Sequence, residues 1–245
     1  MTLLLIVAAF MAGAMNSVAG GGSFLTFPAL VFTGVPSVVA NATNTVELFP
    51  ASLASAWAYR HDFPKTEGLS TRLVLAVALA GGVLGGWLLI STPEHTFNSL
   101  VPWLLLAATA LFAAGKRLIR MLERVIHFGP KTLLTVQFVI AVYGGYFGGA
   151  MGIMMLAAYA LFGLDNIHEA NALKTLMSGA INAIAVVVFV FAGKVDWTPA
   201  AIMLVSAVAG GYLGARVARV MNPNHIRGVV IAIGVTMTVV FFLRG

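Results

Sequence analysis

Apolar runs follow one another along the whole chain, at residues 2–17, 23–35, 41–60, 72–91, 97–115, 132–148, 150–164, 170–193, 198–219 and 226–243. A helix needs about 20 apolar residues to cross a bilayer core about 30 Å thick, and several of the runs have that length. The expected fold class is therefore an all-α polytopic membrane protein with 8–10 helical segments. Sixty per cent of the residues are hydrophobic and 9% charged, where a soluble domain carries roughly a quarter charged. The 245 residues leave no room for a soluble domain beside so many crossings. The run at 23–35 is the exception in length, since 13 residues reach only about 20 Å at 1.5 Å per residue. It reads as part of a broken or re-entrant helix.

Charge and cysteine content narrow the class further. The net charge of +6 would point to nucleic acid in a soluble protein, but basic residues collect at the cytoplasmic ends of membrane spans, and no nucleic-acid partner is expected. The chain has no cysteine, which excludes disulfides, thiol redox chemistry and cysteine-ligated metal. The N-terminal run lacks a basic leader and continues past any cleavage site, so it reads as a retained first helix. The expected location is the cell (inner) membrane, with the lipid bilayer as a partner.

The order of signals is duplicated. Residues 16–55 contain Gly20-Gly21-Gly22, three prolines, a ladder of amides and hydroxyls and a single ionisable residue, Glu47. About 130 residues later the pattern returns without a gap: Gly22 faces Gly152, Ala40-Asn41-Ala42 faces Ala170-Asn171-Ala172, and Thr45 faces Thr175. Glycine-rich runs follow at 79–88 and 208–217, then Pro93 with His95 and Pro223 with His225. The expected organisation is a first transmembrane repeat at 1–115, a basic cytoplasmic linker at 116–131 and a second repeat at 132–245. Inverted repeats are favoured over parallel ones, because inversion puts the loops at 60–72, 116–131 and 216–227 on one side. Those loops hold eleven of the fourteen Lys and Arg residues.

Glycines cost about 1 kcal/mol each in a helix interior, and a broken helix in lipid is tolerated only where protein or a wet cavity receives its backbone groups. The free N–H groups where the chain resumes, at Ser23 and near Gly152, suit an anion. For the glycine runs on the fourth helix of each half, close helix packing is the preferred reading. At 100° per residue Asn41, Asn44, Thr45, Ser52 and Ser55 share one stripe, and Asn171, Lys174, Thr175, Ser178 and Asn182 share the equivalent stripe. Facing each other they would line a water-accessible site. Lys174 is read as a binding residue, the alternative being a side chain that snorkels to the interface. Glu47 lies off the stripe and is read either as a proton-coupling carboxylate or as a carboxyl satisfied by a neighbouring helix. The histidines at 61, 95, 127, 168 and 225 fall in loops or at helix ends without metal-ligand spacing, so no metal site and no cofactor is expected.

The segments AGGGSFLTFPAL at 19–30 with ANATNT at 40–45, and GGYFGGAMG at 144–152 with ANALKT at 170–175, resemble the sulfite exporter TauE/SafE family of anion permeases. The likeness covers essentially the whole chain. The second motif departs from the family pattern, which commonly has a denser glycine run and a proline where this chain has Ala150-Met151-Gly152 and Ala158. The resemblance implies secondary transport of sulfur-containing oxyanions such as sulfite, sulfoacetate or other organosulfonates. It carries the glycine motif onto Gly20, Gly21, Gly22 and Pro28, and the amide motif onto Asn41, Asn44 and Asn171. The expected site for a small anionic substrate is Asn41, Asn44, Thr45, Asn171, Lys174, Thr175, Ser178 and Asn182, with Gly20, Gly21, Gly22, Ser23 and Gly152 as backbone donors. An anion channel of the same architecture is the alternative. An enzyme is not expected, because no acid, base and nucleophile share an apolar segment.

Overall fold

In the computed structural model, residues 1–245 are described apart from 19–20, 64–69, 123–127, 165, 218–222 and 245. Among the described residues the chain forms ten helices and no strand. They are α1 (Thr2–Val18), α2 (Ser23–Phe32), α3 (Ser37–Ala58), α4 (Thr71–Ser91), α5 (Glu94–Leu122), α6 (Pro130–Tyr146), α7 (Met151–Leu161), α8 (Ile167–Phe191), α9 (Trp197–Val217) and α10 (Pro223–Arg244). Four of them, α4, α5 as far as Gly115, α8 and α9, are long and apolar enough to cross a membrane. The protein is a multi-pass membrane protein, and its outer face suits lipid: all four tryptophans are 55–64% exposed.

Local chemistry sets the helix ends. Pro130 opens α6, where its missing N–H costs nothing. Asn166 caps α8 by accepting the His168 N–H at 3.0 Å. The Glu94 carboxylate accepts the Val38 N–H at 3.1 and 3.2 Å, placing negative charge at the positive end of α3. Several helices begin earlier than their apolar runs: α3 by four residues, α5, α8 and α10 by three and α6 by two. The basic stretch expected as a linker from 116 is instead the last turns of α5, since Lys, Arg and Leu are good helix formers. The connection shrinks to 123–129, of which 123–127, with Arg124 and His127, lie outside the described residues, as do Lys65 and Arg219.

Contacts between the halves fix relative directions. Gly13 packs against Ala207 and Gly211 while Gly214 packs against Ala14 and Ser17, so α1 and α9 run the same way. Gly81 meets Phe138 and Ala141 while Gly85 meets Val142 and Tyr146, so α4 and α6 do likewise. Thr43 accepts the Asp196 N–H at 3.0 Å and Ser55 donates to the Gly211 carbonyl at 3.0 Å, which makes α3 parallel to α9. Gly82 against Ile181 and Gly86 against Ala185 make α4 parallel to α8. Tyr59, at the end of α3, clusters with Ala172, near the start of α8, so these two helices oppose each other. The chain folds back after α1, where Gly22 returns to the Ala12 carbonyl, and after α6, where the Tyr143 hydroxyl donates to the Gly149 carbonyl at 2.6 Å. The small residues of α4 and α9 are thus where backbones touch, as the packing reading expects.

Candidate functional site

Both fold-back points are backbone breaks. Gly21 has φ +134° and Gly148 φ +77°, conformations that side-chain-bearing residues rarely adopt. Ala150 takes φ 61° without being glycine, which costs about 1 kcal/mol or more. The two breaks meet: a Cβ built on Gly148 would stand 3.8 Å from the Ser23 hydroxyl. The N-terminus of α2 is therefore next to the bend that precedes α7. Carbonyls of the breaks accept the N–H groups of Phe24, Leu25, Met151 and Ile153 at 2.9–3.3 Å, and each helix start presents a positive dipole end.

The opposite ends of the breaks, the C-termini of α1 and α6, present carbonyls and a negative dipole end. Each is capped from the other half of the chain. Lys174 on α8 donates from Nζ to the carbonyls of Asn16 at 3.2 Å and Ser17 at 3.0 Å, and the side chain is only 1% exposed. Asn41 on α3 donates from Nδ2 to the Tyr146 carbonyl at 2.9 Å. Lys174 is thus neither at the interface nor pointing into an open cleft.

The remaining ladder residues divide into three groups. Asn44 donates to the Ser23 hydroxyl at 3.2 Å and its Oδ1 accepts from the Thr26 hydroxyl, which also lies 3.2 Å from the Gly22 carbonyl. Asn16, with its Nδ2 on the Ser52 hydroxyl at 3.0 Å and its Oδ1 accepting the Gly21 N–H at 3.4 Å, ties the first break to α3. Thr45 and Thr175 turn away from any ligand, donating to the carbonyls of Asn41 and Asn171, each at 2.8 Å. Their hydroxyl protons are spent on their own helices, a common choice for helical threonine. Ser178 makes a weak contact with the Met155 sulfur at 3.9 Å, and Asn182 is buried on the same helix. Gly152 is buried in the first turn of α7, while Gly20 lies outside the described residues.

The expectation of an open, water-lined path is not met in this conformation. The ladder residues are all buried, and a cavity of about 330 Å³ between α5, α6 and α7 is lined by apolar residues such as Leu111, Val139 and Ile153 rather than by the ladder. Among the unpartnered buried oxygens are Asn41 Oδ1, Asn171 Oδ1 and both carboxylate oxygens of Glu47. Glu47 is fully buried and Thr26 faces it, but the Thr26 hydroxyl is directed at Gly22 and Asn44. Thr26, on the neighbouring helix α2, is thus the side chain placed to meet this carboxyl. Among the described residues no group of three His, Cys, Asp or Glu side chains could hold a metal ion.

Sequence reasoning did not single out Asn16, Thr26 or Tyr146 as site residues, whereas Gly148 belongs to the glycine set at 144–152 read as a helix break. Thr26 had a signal, three residues after Ser23 on one face of a short helix. Tyr146 acts through a backbone carbonyl, which residue type does not reveal.

A family model described as sulfite exporter TauE/SafE matches residues 5–241. The chain is 28% identical to a probable membrane transporter protein, ORF9, of Sinorhizobium sp. over 96% of its length and 90% of that protein. It is 28% identical to a probable membrane transporter protein of Haemophilus influenzae, covering 96% and 92%. The match to the probable membrane transporter protein YfcA of Escherichia coli K12 is 25% identical and covers 96% and 87%. No solved structure gives a significant match.

Proposed function

The chain belongs to the sulfite exporter TauE/SafE family, and on that footing we propose that it is a secondary transporter that carries small sulfur-containing oxyanions, such as sulfite, sulfoacetate or another organosulfonate, by alternating access. It is a membrane transporter rather than an enzyme. The observation that carries the reading is the meeting of two helix starts, at Ser23 and beyond Gly148, between ladders whose fixed charge is a lysine. Positive dipole ends, amide donors and one ammonium recognise an anion, and a break whose helix ends are capped across the halves opens when the halves part. The binding set is Ser23, Asn41, Asn44, Asn171, Lys174, Ser178 and Asn182, with backbone donors at Gly20, Gly21, Gly22 and Gly152. Thr45 and Thr175 enter it only if their hydroxyls rotate off their own helices.

The two halves, 1–115 and 132–245, act as inverted repeats. Support comes from the directions of α1, α3 and α9 against α4, α6 and α8, which oppose each helix to its counterpart. Movement of one half against the other exposes the breaks to each side in turn. A channel would keep the ladder open, and the burial of the ladder favours a carrier.

The test is uptake of labelled sulfite and sulfoacetate into proteoliposomes. Wild-type uptake is expected to saturate, and Asn41→Ala to lower it about tenfold, one lost buried hydrogen bond being worth about 1 to 1.5 kcal/mol. Non-saturating flux would favour a channel, and wild-type rates in Asn41→Ala would remove that residue from the site.

Glu47 is the coupling group in this proposal, since an intramembrane carboxyl without a partner must meet a cation during the cycle. Glu47→Gln is expected to abolish gradient-driven accumulation while anion exchange persists. Unchanged accumulation would reject the role.

A further inference from the structure

We infer that Glu47, Thr26, Asn44 and the Gly22 carbonyl form a binding site for a single dehydrated monovalent cation of sodium's size, lying between α2 and α3. The inference rests on the reading of Glu47 as the coupling group and names the ion.

Side-chain and main-chain oxygens converge there. Thr26 Oγ1 lies 3.2 Å from the Gly22 carbonyl and in contact with Asn44 Oδ1, and Thr26 faces Glu47. The Gly22 carbonyl also accepts the Leu25 and Thr26 N–H groups at 2.9 and 3.3 Å, but the Thr26 hydroxyl has one proton for all the side-chain acceptors around it. Asn44 Nδ2 donates to the Ser23 hydroxyl at 3.2 Å, and its Oδ1 is turned towards Thr26. Both Glu47 oxygens are buried without a partner, and Thr26, Asn44 and Glu47 are each no more than 1% exposed. A buried, donor-poor oxygen cluster with one negative charge is the coordination a small monovalent cation requires. Calcium takes six to eight oxygens and magnesium keeps several waters, and both favour more than one carboxylate.

The second half of the chain supplies a contrast. In the gapless alignment Asn44 corresponds to Lys174, Glu47 to Met177 and Thr26 to Leu156. There the chain provides its own fixed cation, the Lys174 ammonium, bound by carbonyls at a broken helix end. Here the carbonyl, amide and hydroxyl oxygens have a carboxylate instead, and the cation is missing from the covalent structure. A cation bound here would hold α2 to α3 one residue away from Ser23, so it would set the geometry of the break at which the anion arrives.

The experiment uses the full chain in detergent and in proteoliposomes at fixed pH and ionic strength. The thermal midpoint is expected to rise saturably with sodium chloride and not with choline chloride. Thr26→Val, which keeps the shape and removes the oxygen, is expected to raise the half-saturating sodium concentration at least tenfold, and Glu47→Gln to remove the shift. An inward sodium gradient alone is expected to drive labelled sulfite or sulfoacetate uptake. A midpoint indifferent to sodium, together with uptake driven fully by a pH gradient in choline, overturns the cation site and leaves the transport reading standing with a proton at Glu47. A sodium-dependent midpoint without anion uptake keeps the cation site and sinks the transport reading. A sodium shift unaltered in Thr26→Val and Glu47→Gln places the ion elsewhere and overturns the proposal.

Discussion

Lys174→Met is expected to reduce anion transport at least a hundredfold and to lower the thermal midpoint of the purified protein. The ammonium is buried and donates to the Asn16 and Ser17 carbonyls at 3.2 and 3.0 Å, which belong to the last turn of α1. Helix C-termini carry carbonyls without intrahelical donors, and α1 ends inside the protein, where water does not replace a lost partner. Hydrogen bonds to charged groups contribute about 1.5 to 3 kcal/mol each, so removing both costs about 3 to 5 kcal/mol, and 1.4 kcal/mol corresponds to about a tenfold change in an equilibrium. Methionine keeps the length and apolar volume of the stem, which separates the loss of the ammonium from the loss of packing. A residue that only touched the anion would raise the half-saturating anion concentration and leave the midpoint alone. A combined fall in maximal rate and midpoint identifies a cap that also forms the site. Wild-type transport by Lys174→Met, measured with labelled sulfite and sulfoacetate, would exclude Lys174 from both roles.

The contrast between Lys174 and the rest of the site explains what was legible in the amino-acid sequence. Composition made the membrane unmistakable, and the gapless match of Gly22 with Gly152 and Asn41 with Asn171 announced two broken helices beside two polar ladders. The breaks at Gly21 and Gly148 follow directly from glycine placement, because the residue type and the positive φ are the same fact. Lys174 was legible as unusual but not as a cap, since its partners are backbone atoms of α1, 157 and 158 residues away. Thr45 and Thr175 show a related limit: periodicity places a hydroxyl on a face but does not say whether its proton returns to the helix carbonyl four residues back. The basic stretch at 116–122 continues α5 as helix, a continuity that polarity alone did not indicate. Glu47 stayed open between two readings because only the fold could bring Thr26 of α2 to its side.

Gly145→Ala and Gly211→Ala, each adding one methyl group, are expected to destabilise the protein by about 2 to 3 kcal/mol apiece, the scale of forcing extra volume into a packed interior. A Cβ on Gly145 would stand 2.5 Å from the Gly82 carbonyl oxygen and 3.0 Å from the Gly86 amide nitrogen. On Gly211 it would stand 2.5 Å from the Ala51 carbonyl oxygen and 3.1 Å from the Ser55 hydroxyl. In both places the obstacle is backbone, which cannot rotate out of the way as a flexible side chain does, so α4 must part from α6 and α9 from α3. These contacts join the first half to the second, and they hold the helices that end at the breaks against the helices that support them. In lipid no hydrophobic drive restores a loosened interface, because packing itself is a principal attraction between helices. The midpoint is expected to fall by roughly 5 to 10 °C for each variant. Gly228→Ala is the control: a Cβ there meets nothing within 4 Å, and alanine is the better helix former by about 1 kcal/mol, so its midpoint is expected to hold or rise. Equal midpoints for all three variants would mean that the backbones do not approach as described, and the meeting of the two halves at Ser23 and Gly148 would lose its support.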